Sequence, residues 1–380
     1  MRVLLDYRAA LRARSGVGEY THQMACALLA AFAQPALASR PRALDLALFS
    51  SSWKDRLRLP PDLALAEPID RRVPVRLLNL AWHRIGWPGA ERLTGRRFDV
   101  THSMHPLLLP ARDAAQIVTV HDLDFLAHPE RTRGEIRRDY PALAAAHARR
   151  ADAVIVVSPY TAREVVRRLG VPADRVAICP GAAPAWPPRA RPPAGGGYIL
   201  FFGTLEPRKN VGGLLDAYEA LTARRADAPE LVLAGSVSPE GQHLVDRIGR
   251  AGLRGRVRHL GYVEPSARYR LYEQAAVLVQ PSFEEGFGLT VLEAMTVGVP
   301  VVAADRGALP ELLDGAGALV EPDDPEGMAR AIERILDDET AAAAAVARGA
   351  ARAARFSWDR TARLVYDTYE RAMRRRCGSA

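Results

Sequence analysis

Short apolar segments rich in valine, isoleucine and leucine alternate with helical patterns along this chain of 380 residues. Apolar strands of this kind are typical of parallel sheets that carry helices on both faces. The candidate strands are residues 2–7, 44–50, 73–78, 99–103, 116–121, 153–158, 175–180, 198–203, 230–235, 257–263, 276–281, 299–304 and 318–321. Thirteen strands are too many for one compact doubly wound sheet, so the pattern predicts an α/β protein with two such domains.

A segment rich in proline and glycine divides the candidate strands into two groups. Residues 182–197 contain five prolines and three glycines, and this composition suits neither a helix nor a strand ladder. We therefore predict an N-terminal domain over residues 1–181, an interdomain linker over residues 182–197 and a second domain over residues 198–358.

The sequence after the second domain, residues 359–380, has a helical pattern. Leu364, Tyr366 and Tyr369 form an apolar stripe along it. The simplest interpretation of such a stripe is a surface helix that packs on its own domain.

Charge and cysteine content narrow the classes of protein that this chain can be. Basic residues exceed acidic residues by 52 to 44, and every basic residue except Lys54 and Lys209 is arginine. The basic residues are spread along the chain without a recognised nucleic-acid-binding motif, so we expect no nucleic-acid partner. Three cysteines are too few and too scattered for a disulfide framework or a zinc site. With no signal-peptide pattern and no run of about 18 apolar residues, we expect a cytoplasmic protein.

The first candidate ligand-binding motif is a glycine-rich turn after the first strand. Gly16 and Gly18 open a helix there, so the backbone can approach a ligand closely and amide groups of the helix start face an anion. Glycine-rich turns are equally common as simple breaks between elements, and the motif alone leaves both interpretations open.

His121 stands at the carboxyl end of a candidate strand, where open α/β sheets bind their ligands. Its imidazole could donate a hydrogen bond to a substrate hydroxyl or stabilise a developing charge. Asp122 and Asp124 follow it, and two nearby carboxylates can hold Mg²⁺ with the help of phosphate. Because so short a motif carries little information, an ordinary loop is the favoured interpretation of the two aspartates, and we predict no metal site.

Two adjacent basic residues follow the first strand of the second half. Arg208 and Lys209 come directly after Pro207. A guanidinium can bind a phosphate in a bidentate manner, and an ammonium group is a compact positive charge. Lys209 is one of only two lysines in an arginine-rich chain, which favours a diphosphate-binding role over an ordinary solvated pair.

The most specific motif occupies residues 281–295. A strand ends, a loop carries Glu284 and Glu285, and a helix begins near Gly288. The amide groups at a helix N-terminus favour phosphate oxygens. Glu285 and Glu293 are eight residues apart and could flank a ligand that lies across the helix start. An acidic residue there also complements the helix dipole, but that role does not account for the whole motif.

Together these motifs resemble the retaining glycosyltransferases of family 4, whose GT-B architecture has two Rossmann-like domains with a cleft between them. The similar segments are Pro-Ser-x-x-Glu-Gly-Phe-Gly-Leu-x-x-Leu-Glu-Ala-Met at 281–295, Gly-Thr-Leu-Glu-Pro-Arg-Lys-Asn at 203–210, Thr-Val-His-Asp-Leu-x-Phe at 119–125 and Gly-x-Gly at 16–18. The resemblance covers nearly the full length of the chain.

This resemblance implies that the second domain binds a nucleotide-diphosphate sugar and the first domain binds the acceptor. Arg208 and Lys209 would neutralise the diphosphate. Glu285 would hold sugar hydroxyls, Glu293 the ribose hydroxyls, and His121 would contact the donor sugar from the first domain. The other residues that would bind the donor are Gly16, Gly18, Gly203, Tyr262, Val263, Gly286, Phe287, Gly288, Leu289 and Thr290.

The family resemblance also implies the course of the reaction. It predicts transfer with retention through front-side attack, without a metal ion and without a cofactor beyond the nucleotide sugar that is consumed. The C-terminal helix would cross back onto the N-terminal domain, as it does in this architecture.

The residues of these motifs are most similar to those of bacterial mannosyl- and hexosyltransferases of surface polysaccharide and lipopolysaccharide assembly. This favours GDP-mannose as the donor and a saccharide or lipid-linked saccharide as the acceptor. A UDP-sugar-dependent glucosyl- or N-acetylglucosaminyl-type transferase, a nucleotide-sugar epimerase or hydrolase and an inactive nucleotide-sugar-binding scaffold subunit remain alternatives. A pyridoxal-phosphate phosphorylase would need Lys54 or Lys209 as its Schiff-base lysine and is usually a far longer chain.

A basic stretch at residues 131–138 raises the question of membrane contact. It contains four arginines, and a basic helix or lid near the acceptor site could dock on anionic lipid. A solvated helix in an arginine-rich protein explains the stretch equally well. Peripheral contact with the inner face of the cytoplasmic membrane is therefore an open alternative.

Overall fold

Two compact units make up the chain in a computed structural model, Met1–Gly181 with Trp358–Ala380 as the first and Ala182–Ser357 as the second. The structure describes residues 1–11, 14, 16–32, 43–53, 55–128, 139–250 and 252–378. No helix among these residues is both long enough and apolar enough to cross a membrane.

The first unit is built on a seven-stranded parallel sheet with the strand order β3-β2-β1-β4-β5-β6-β7. Its strands are β1 Arg2–Asp6, β2 Asp45–Ser51, β3 Glu67–Arg71, β4 Val100–Ser103, β5 Ala115–Val120, β6 Ala153–Val156 and β7 Val176–Ile178. The order reverses between β1 and β4, which makes the carboxyl ends of these two strands the expected place for a ligand.

Helices connect the strands of the first unit and cover its sheet. They are α1 Gly16–Phe32, α2 Val75–Ile85, α3 Ala90–Thr94, α4 Asp124–Ala127, α5 Tyr140–Arg150 and α6 Pro159–Glu164, which continues as a π-turn over Val165–Leu169. The sheet is buried on both faces, as the continuous apolar strands predict: every residue of β5 and β6 is buried.

The second unit repeats this plan with a six-stranded parallel sheet in the order β10-β9-β8-β11-β12-β13. Its strands are β8 Tyr198–Phe202, β9 Leu231–Ala234, β10 Val257–His259, β11 Ala275–Gln280, β12 Val301–Ala304 and β13 Ala318–Val320. Its helices are α7 Val211–Arg224, α8 Gln242–Ile248, α9 Pro265–Glu273, α10 Leu289–Val297, α11 Leu309–Leu313, α12 Pro325–Asp337 and α13 Glu339–Ala353. The predicted fold class, two Rossmann-like parallel-sheet domains, is confirmed.

The last helix, α14 Trp358–Gly378, belongs to the first unit. Tyr366 stacks on Phe32 of α1 with ring centroids 4.3 Å apart. The Tyr369 hydroxyl hydrogen-bonds Nδ1 of His102 at 2.7 Å, and Nε2 of the same ring hydrogen-bonds the Thr119 hydroxyl at 2.7 Å. The aromatic stripe of the sequence is therefore buried, and it ties the end of the chain to β4 and β5.

One predicted strand is wrong. Residues 73–78 are a short apolar run and were predicted to form a strand, but α2 begins at Val75 and buries Leu78 against the sheet. The strand of this region is β3, Glu67–Arg71, whose polar sequence contains Pro68. A proline is tolerated there because β3 is the edge strand of the sheet.

The proline-rich segment 182–197 packs on the second unit, to which it belongs. The Arg189 amide donates to the Val297 carbonyl at 2.9 Å, and its guanidinium Nη1 donates to the Ala275 carbonyl at 2.6 Å. A single 3₁₀ turn, Ala194–Gly196, leads into β8. The segment is thus fixed to its own unit by backbone and arginine contacts.

The carboxyl ends of β8 and β9 approach each other so closely that only glycine fits. Gly235 has a φ of 138°, and a Cβ atom there would lie 2.0 Å from the Gly203 carbonyl oxygen. Gly255 is also left-handed, with a φ of 77°, but a Cβ atom there would meet nothing within 4 Å. An alanine at Gly255 would suffer backbone strain alone, whereas an alanine at Gly235 would suffer backbone strain and a steric clash.

We predict that Gly235→Ala lowers the free energy of unfolding by about 3 kcal/mol or more, because backbone strain and overpacking act together. The matched control Gly255→Ala should cost about 1 kcal/mol, since only the left-handed backbone disfavours it. Urea unfolding followed by circular dichroism measures both variants. Equal losses in the two variants would contradict the close approach of Gly203 and Gly235.

Candidate active site

A lysine–glutamate ion pair joins the loops that follow two neighbouring strands of the second sheet, β8 and β11. Lys209 ends a 3₁₀ turn, Pro207–Lys209, just after β8, and Glu285 lies in the loop after β11. The Lys209 Nζ donates to Glu285 Oε2 at 2.5 Å. The Phe283 amide also donates to the Arg208 carbonyl at 2.9 Å, so the two loops are joined through their backbones.

Arg208 braces the same pair of loops from the other side. Its Nη1 donates to the Glu284 carbonyl and its Nη2 to Glu206 Oε1, both at 2.9 Å. Its Nη1 also lies 3.9 Å from Glu285 Oε2. Two positive side chains therefore converge on one carboxylate at the carboxyl edge of the sheet.

Glu285 is held in its ionised form. Its side chain is 14% exposed, and burial by itself raises the pKa of a carboxyl group. The positive charges of Lys209 and Arg208 lower the pKa, and hydrogen bonds from Lys209 and Ser282 lower it further. Together they outweigh the effect of burial, so the pKa of Glu285 lies below its usual value. The result is a negative side chain enclosed by two positive ones.

Residues that the motifs did not single out also fix Glu285 in place. Gln280, the last residue of β11, directs Nε2 to the Ser282 hydroxyl at 2.9 Å and to Glu285 Oε2 at 3.4 Å. The Ala308 amide donates to the Glu285 carbonyl at 2.8 Å, and a Cβ atom at Gly307 would lie 2.5 Å from that carbonyl oxygen. A polar residue at a buried strand end was the available signal for Gln280. Gly307 follows the end of β12, and no sequence pattern links it to Glu285.

The N-terminus of α10 lies directly after Glu285 in the chain. Gly288 precedes the first helical residue, Leu289, with a φ of 100°, and a Cβ atom on it would lie 2.9 Å from the Leu312 side chain. The Thr290 hydroxyl donates to Gln280 Oε1 at 3.3 Å. Phe287 is buried and packs on Phe356 with ring centroids 5.7 Å apart. The start of α10, with its amide groups, is thus fixed next to the lysine–glutamate pair.

Glu293 lies one turn further along α10 and is only 3% exposed. Its Oε2 accepts a hydrogen bond from the Tyr272 hydroxyl at 2.7 Å. Burial, followed by the charge of Glu293, raises the pKa of Tyr272 well above the usual value of a tyrosine. Tyr272 comes from α9, and nothing in the sequence indicated this contact.

The remaining predicted donor residues of the second unit follow other strands. Gly203 is the first residue after β8, and its amide donates to the Ala234 carbonyl at 2.9 Å. Tyr262 and Val263 follow β10, and both are half-buried. Because the sheet order is β10-β9-β8-β11, these two residues are separated from the strand of Glu285 by β9 and β8.

In the first unit, Gly16 is the first residue of α1 and Gly18 lies within its first turn. A Cβ atom at Gly18 would lie 2.6 Å from the Ala9 carbonyl oxygen, so the turn after β1 packs against the helix start. A Cβ atom at Gly16 would meet nothing within 4 Å. Packing therefore explains Gly18 and leaves Gly16 without a steric reason in the described residues.

His121 follows directly after β5 and packs edge-on against Tyr20, with ring centroids 5.2 Å apart. Burial lowers the pKa of His121 to about 4, although Asp122 and the Met104 backbone act in the opposite direction. The imidazole is therefore neutral near pH 7. Its Nε2 is shielded from solvent and has no hydrogen-bond partner among the described residues.

A buried ion pair at the end of β1 was not indicated by any sequence motif. Arg8 donates to Asp6 through Nε at 2.8 Å and through Nη2 at 2.7 Å, and its guanidinium lies over the Trp82 ring at 5.2 Å. Its Nη1 donates to Asn79 Oδ1 at 3.0 Å. The neighbouring Arg8 keeps the pKa of Asp6 well below its usual range, although burial alone would raise it. In the sequence, the only sign of this ion pair is that the apolar strand β1 ends in an acidic residue, Asp6.

The aspartates of the loop after β5 have structural contacts. The Asp124 amide, at the start of α4, donates to Asp122 Oδ1 at 3.2 Å.

Among the residues that the structure describes, the group of His, Cys and acidic side chains with a spacing that could hold a metal ion is His22, Cys26 and Asp62. Both nitrogens of His22 already have partners, the Tyr7 hydroxyl at 2.8 Å and Asp62 at 3.0 Å. The basic stretch 131–138 lies outside the described residues.

Two family descriptions match consecutive parts of the chain, Glycosyltransferase Family 4 over residues 14–184 and Glycosyl transferases group 1 over residues 184–352. The O-antigen chain mannosyltransferase B of Escherichia coli is 34% identical over 278 residues, which cover 69% of this chain and 72% of that protein. The serotype-specific mannosyltransferase WbdA of Escherichia coli is 30% identical over 284 residues, which cover 70% of this chain and 35% of WbdA. This chain therefore corresponds to about a third of that longer protein.

Solved structures match the fold over almost the whole chain. Sucrose-phosphate synthase from Thermosynechococcus elongatus has a TM-score of 0.72 at 22% identity, with 97% of this chain and 98% of that chain covered. HepE from Anabaena, in complex with UDP and glucose, has a TM-score of 0.70 at 17% identity, with 97% and 99% covered. At these identities the two structures show the shared fold.

We predict that Lys209→Met lowers the urea midpoint at pH 7, because it leaves Glu285 buried with less positive charge nearby. The folded-state pKa of Glu285 lies below its unfolded value. The stabilisation of the fold by the Lys209–Glu285 pair is therefore present above about pH 4.3 and is lost as pH falls through the folded pKa. The difference between wild type and Lys209→Met should therefore shrink in acid.

A Glu285→Gln background provides the control for this measurement. Without the carboxylate, the effect of Lys209→Met should be small and nearly independent of pH. A pH-independent difference in the presence of Glu285, equal to that in its absence, would show that the pair has no energetic coupling.

Proposed function

The chain belongs to the family 4 glycosyltransferases, and we propose that it transfers a hexose from a nucleotide-diphosphate sugar to a saccharide or lipid-linked saccharide acceptor. Among donors we favour GDP-mannose, because two of the relatives that match about 70% of this chain at 30% identity or more are bacterial mannosyltransferases. The acceptor would be an intermediate of polysaccharide or lipopolysaccharide biosynthesis, as the O-antigen relative suggests.

The observation that carries this proposal is the convergence of Lys209 and Arg208 on Glu285, beside the N-terminus of α10. When a glycosidic bond to a diphosphate breaks, the departing diphosphate gains negative charge. Cations and amide groups that are already in place stabilise that charge and lower the barrier. We propose that the diphosphate lies against Lys209, Arg208 and the amides of residues 286–290.

Lys209 can serve the donor without giving up Glu285. An ammonium group has three N–H donors, and in the described contacts one of them is directed to Glu285. The other hydrogens can then reach phosphate oxygens, while Glu285 accepts hydrogen bonds from sugar hydroxyls. The lysine would thus connect the leaving group with the residue that orients the sugar.

The other donor contacts follow from the positions of the strands. Glu293 would accept hydrogen bonds from the ribose hydroxyls, although it must then share its carboxylate with Tyr272. Tyr262 and Val263, after β10, would lie beside the base. We further propose that Nε2 of His121, which has no partner among the described residues, hydrogen-bonds the donor sugar in the reacting complex. Gly16 would let the backbone of the first unit approach the ligand.

We propose transfer with retention of the anomeric configuration. In front-side attack, the acceptor hydroxyl approaches from the same side as the departing diphosphate, through an ion-paired transition state. Its oxygen bonds to the sugar carbon as the bond to the diphosphate breaks, and its proton passes to a departing phosphate oxygen. Two cations and a helix N-terminus can stabilise such a departing group with the chain's own residues, so the proposed reaction needs neither a metal ion nor a further cofactor.

We expect Lys209→Ala and Glu285→Ala each to lower turnover by about 10²-fold or more, the range for the loss of one electrostatic stabiliser. Arg254→Ala, at an exposed arginine in a surface loop of the same unit, is the matched control and should transfer at the wild-type rate. Products are measured by mass spectrometry with the donor and candidate acceptors. Wild-type turnover in both site variants would disprove the assignment, and free sugar without an acceptor product would indicate a hydrolase.

The preferred nucleotide should raise the melting temperature most in a panel of GDP, UDP, ADP and their sugars. Stabilisation grows with the ratio of ligand concentration to dissociation constant, and GDP-mannose is expected to stand out. The Lys209→Ala variant, compared at the same concentrations, should lose most of this shift because the diphosphate loses a cation. A larger shift with UDP or UDP-sugars would overturn the preference for GDP-mannose, and no shift with any nucleotide would argue against donor binding altogether.

A further inference from the structure

A histidine, a cysteine and an aspartate of the first unit come together near the end of β1. His22 and Cys26 lie one turn apart on the same face of α1, and Asp62 lies in the 3₁₀ turn Pro61–Leu63 between β2 and β3. The Cys26 Sγ is 3.7 Å from His22 Nε2, and this nitrogen is 3.0 Å from Asp62 Oδ2. One atom from each of the three side chains lies within 4.8 Å of the other two. A sulfur, a nitrogen and an oxygen thus converge from two elements that are far apart in the sequence.

We propose that His22, Cys26 and Asp62 bind a zinc ion. Thiolate sulfur, imidazole nitrogen and carboxylate oxygen are the ligands that zinc takes in proteins, and it binds them at the corners of a tetrahedron. With a Zn–S bond of about 2.3 Å and Zn–N and Zn–O bonds of about 2.0–2.1 Å, the sulfur and nitrogen are about 3.6 Å apart and the nitrogen and oxygen about 3.3 Å apart. The separations in the structure, 3.7 Å and 3.0 Å, lie close to both values. Three protein ligands leave the fourth corner to a water molecule.

The other nitrogen of the His22 ring already has the partner that a zinc-binding histidine needs. Its Nδ1 hydrogen-bonds the Tyr7 hydroxyl at 2.8 Å, and Tyr7 is itself buried. A histidine that binds a metal through one nitrogen characteristically hydrogen-bonds through the other, which fixes the ring orientation and the tautomer. Without an ion, Nε2–H donates to the Asp62 carboxylate. Zinc takes the place of that hydrogen, and Nδ1–H then donates to the Tyr7 oxygen.

The charges of the ligands match a divalent ion. The Cys26 thiol releases its proton to solvent when zinc binds, so one thiolate and one carboxylate balance the charge of Zn²⁺ while the imidazole stays neutral. Arg14 and Glu19 also act on His22 electrostatically, with opposite signs. A neutral complex suits this location, because His22 is buried and Cys26 is half-buried. The Asp62 side chain is 53% exposed, so an ion can reach the site from solvent.

Zinc at this position would hold α1 to the 3₁₀ turn Pro61–Leu63. Helix α1 begins in the glycine turn that follows β1, and Gly18 packs there on the backbone of Ala9. An ion that fixes α1 therefore also supports the glycine turn at the carboxyl edge of the sheet. None of the three ligands is among the residues that we propose to bind the donor, so this inference does not rest on the proposed function.

Zinc titration of untagged protein that has been freed of metal with EDTA tests the proposal. Wild type should take up one zinc per chain, measured by inductively coupled plasma mass spectrometry after dialysis. Zinc should raise the melting temperature and EDTA should reverse the shift, because the ligands are held together only in the folded chain. Cobalt in place of zinc should give the spectrum of a tetrahedral ion and a cobalt–thiolate absorption band from Cys26.

Variants of the ligands and matched controls locate the ion. Cys26→Ser and Asp62→Asn should each weaken zinc binding by about 100-fold or more, because a direct ligand is lost, and Cys26→Ser should also remove the cobalt–thiolate band. Tyr7→Phe removes only the hydrogen bond to Nδ1 and should weaken zinc binding by about tenfold. Cys377→Ser and Asp113→Asn, at an exposed cysteine and an exposed aspartate of the first unit, should bind zinc like wild type.

Failure of wild type to take up zinc would overturn the proposal. Equal zinc binding by wild type, Cys26→Ser and Asp62→Asn would also overturn it and would indicate an adventitious surface ion, as would equal losses in the ligand and control variants. Urea midpoints measured in EDTA show that each variant is folded. GDP should shift the melting temperature equally with and without zinc, so zinc binding and donor binding succeed or fail separately.

Discussion

The ion pair between Lys209 and Glu285 is the constraint around which the second unit arranges its functional edge. It connects the loops after β8 and β11, two strands that pair in the centre of the sheet. Both side chains are largely buried, at 12% and 14% exposure, so either charge left there without the other would destabilise the fold. Arg208 also approaches Glu285, and the Phe283 amide donates to the Arg208 carbonyl. These contacts hold the N-terminus of α10 beside two cationic side chains.

The two units share a sheet plan but differ in the charge of their ligand-binding edges. In the second unit, the charged side chains Arg208 and Lys209 converge on Glu285, and Arg208 also pairs with Glu206. In the first unit, burial lowers the pKa of His102 to about 3 and that of His121 to about 4, so both rings are neutral near pH 7. The charge of Arg8 is compensated by Asp6. A diphosphate suits the second edge because that edge carries two cationic hydrogen-bond donors, and a neutral hydroxyl group suits the first, which supports the proposed division between donor and acceptor.

Periodic apolar segments were sufficient to predict the fold class, because each buried strand of a parallel sheet has its own local signal. The exception was β3, where Pro68 and charged residues conceal an edge strand, while the apolar run at residues 73–78 contains the start of α2. At the site, the sequence singled out Arg208, Lys209 and Glu285 separately. It could not place Gln280, Gly307 or Tyr272, because their contacts depend on which strands become neighbours.

The choice of lysine at position 209 has a physical reason in a chain whose other basic residues, except Lys54, are arginine. Arg8 shows what a guanidinium does beside a buried carboxylate: its Nε and Nη2 donate to both oxygens of Asp6, and its Nη1 donates to Asn79. Lys209 instead makes a single contact to one oxygen of Glu285. An ammonium group has further hydrogens pointing in other directions. Lys209 therefore keeps hydrogens for an anionic ligand, whereas Arg8 directs all three of its guanidinium nitrogens to protein partners.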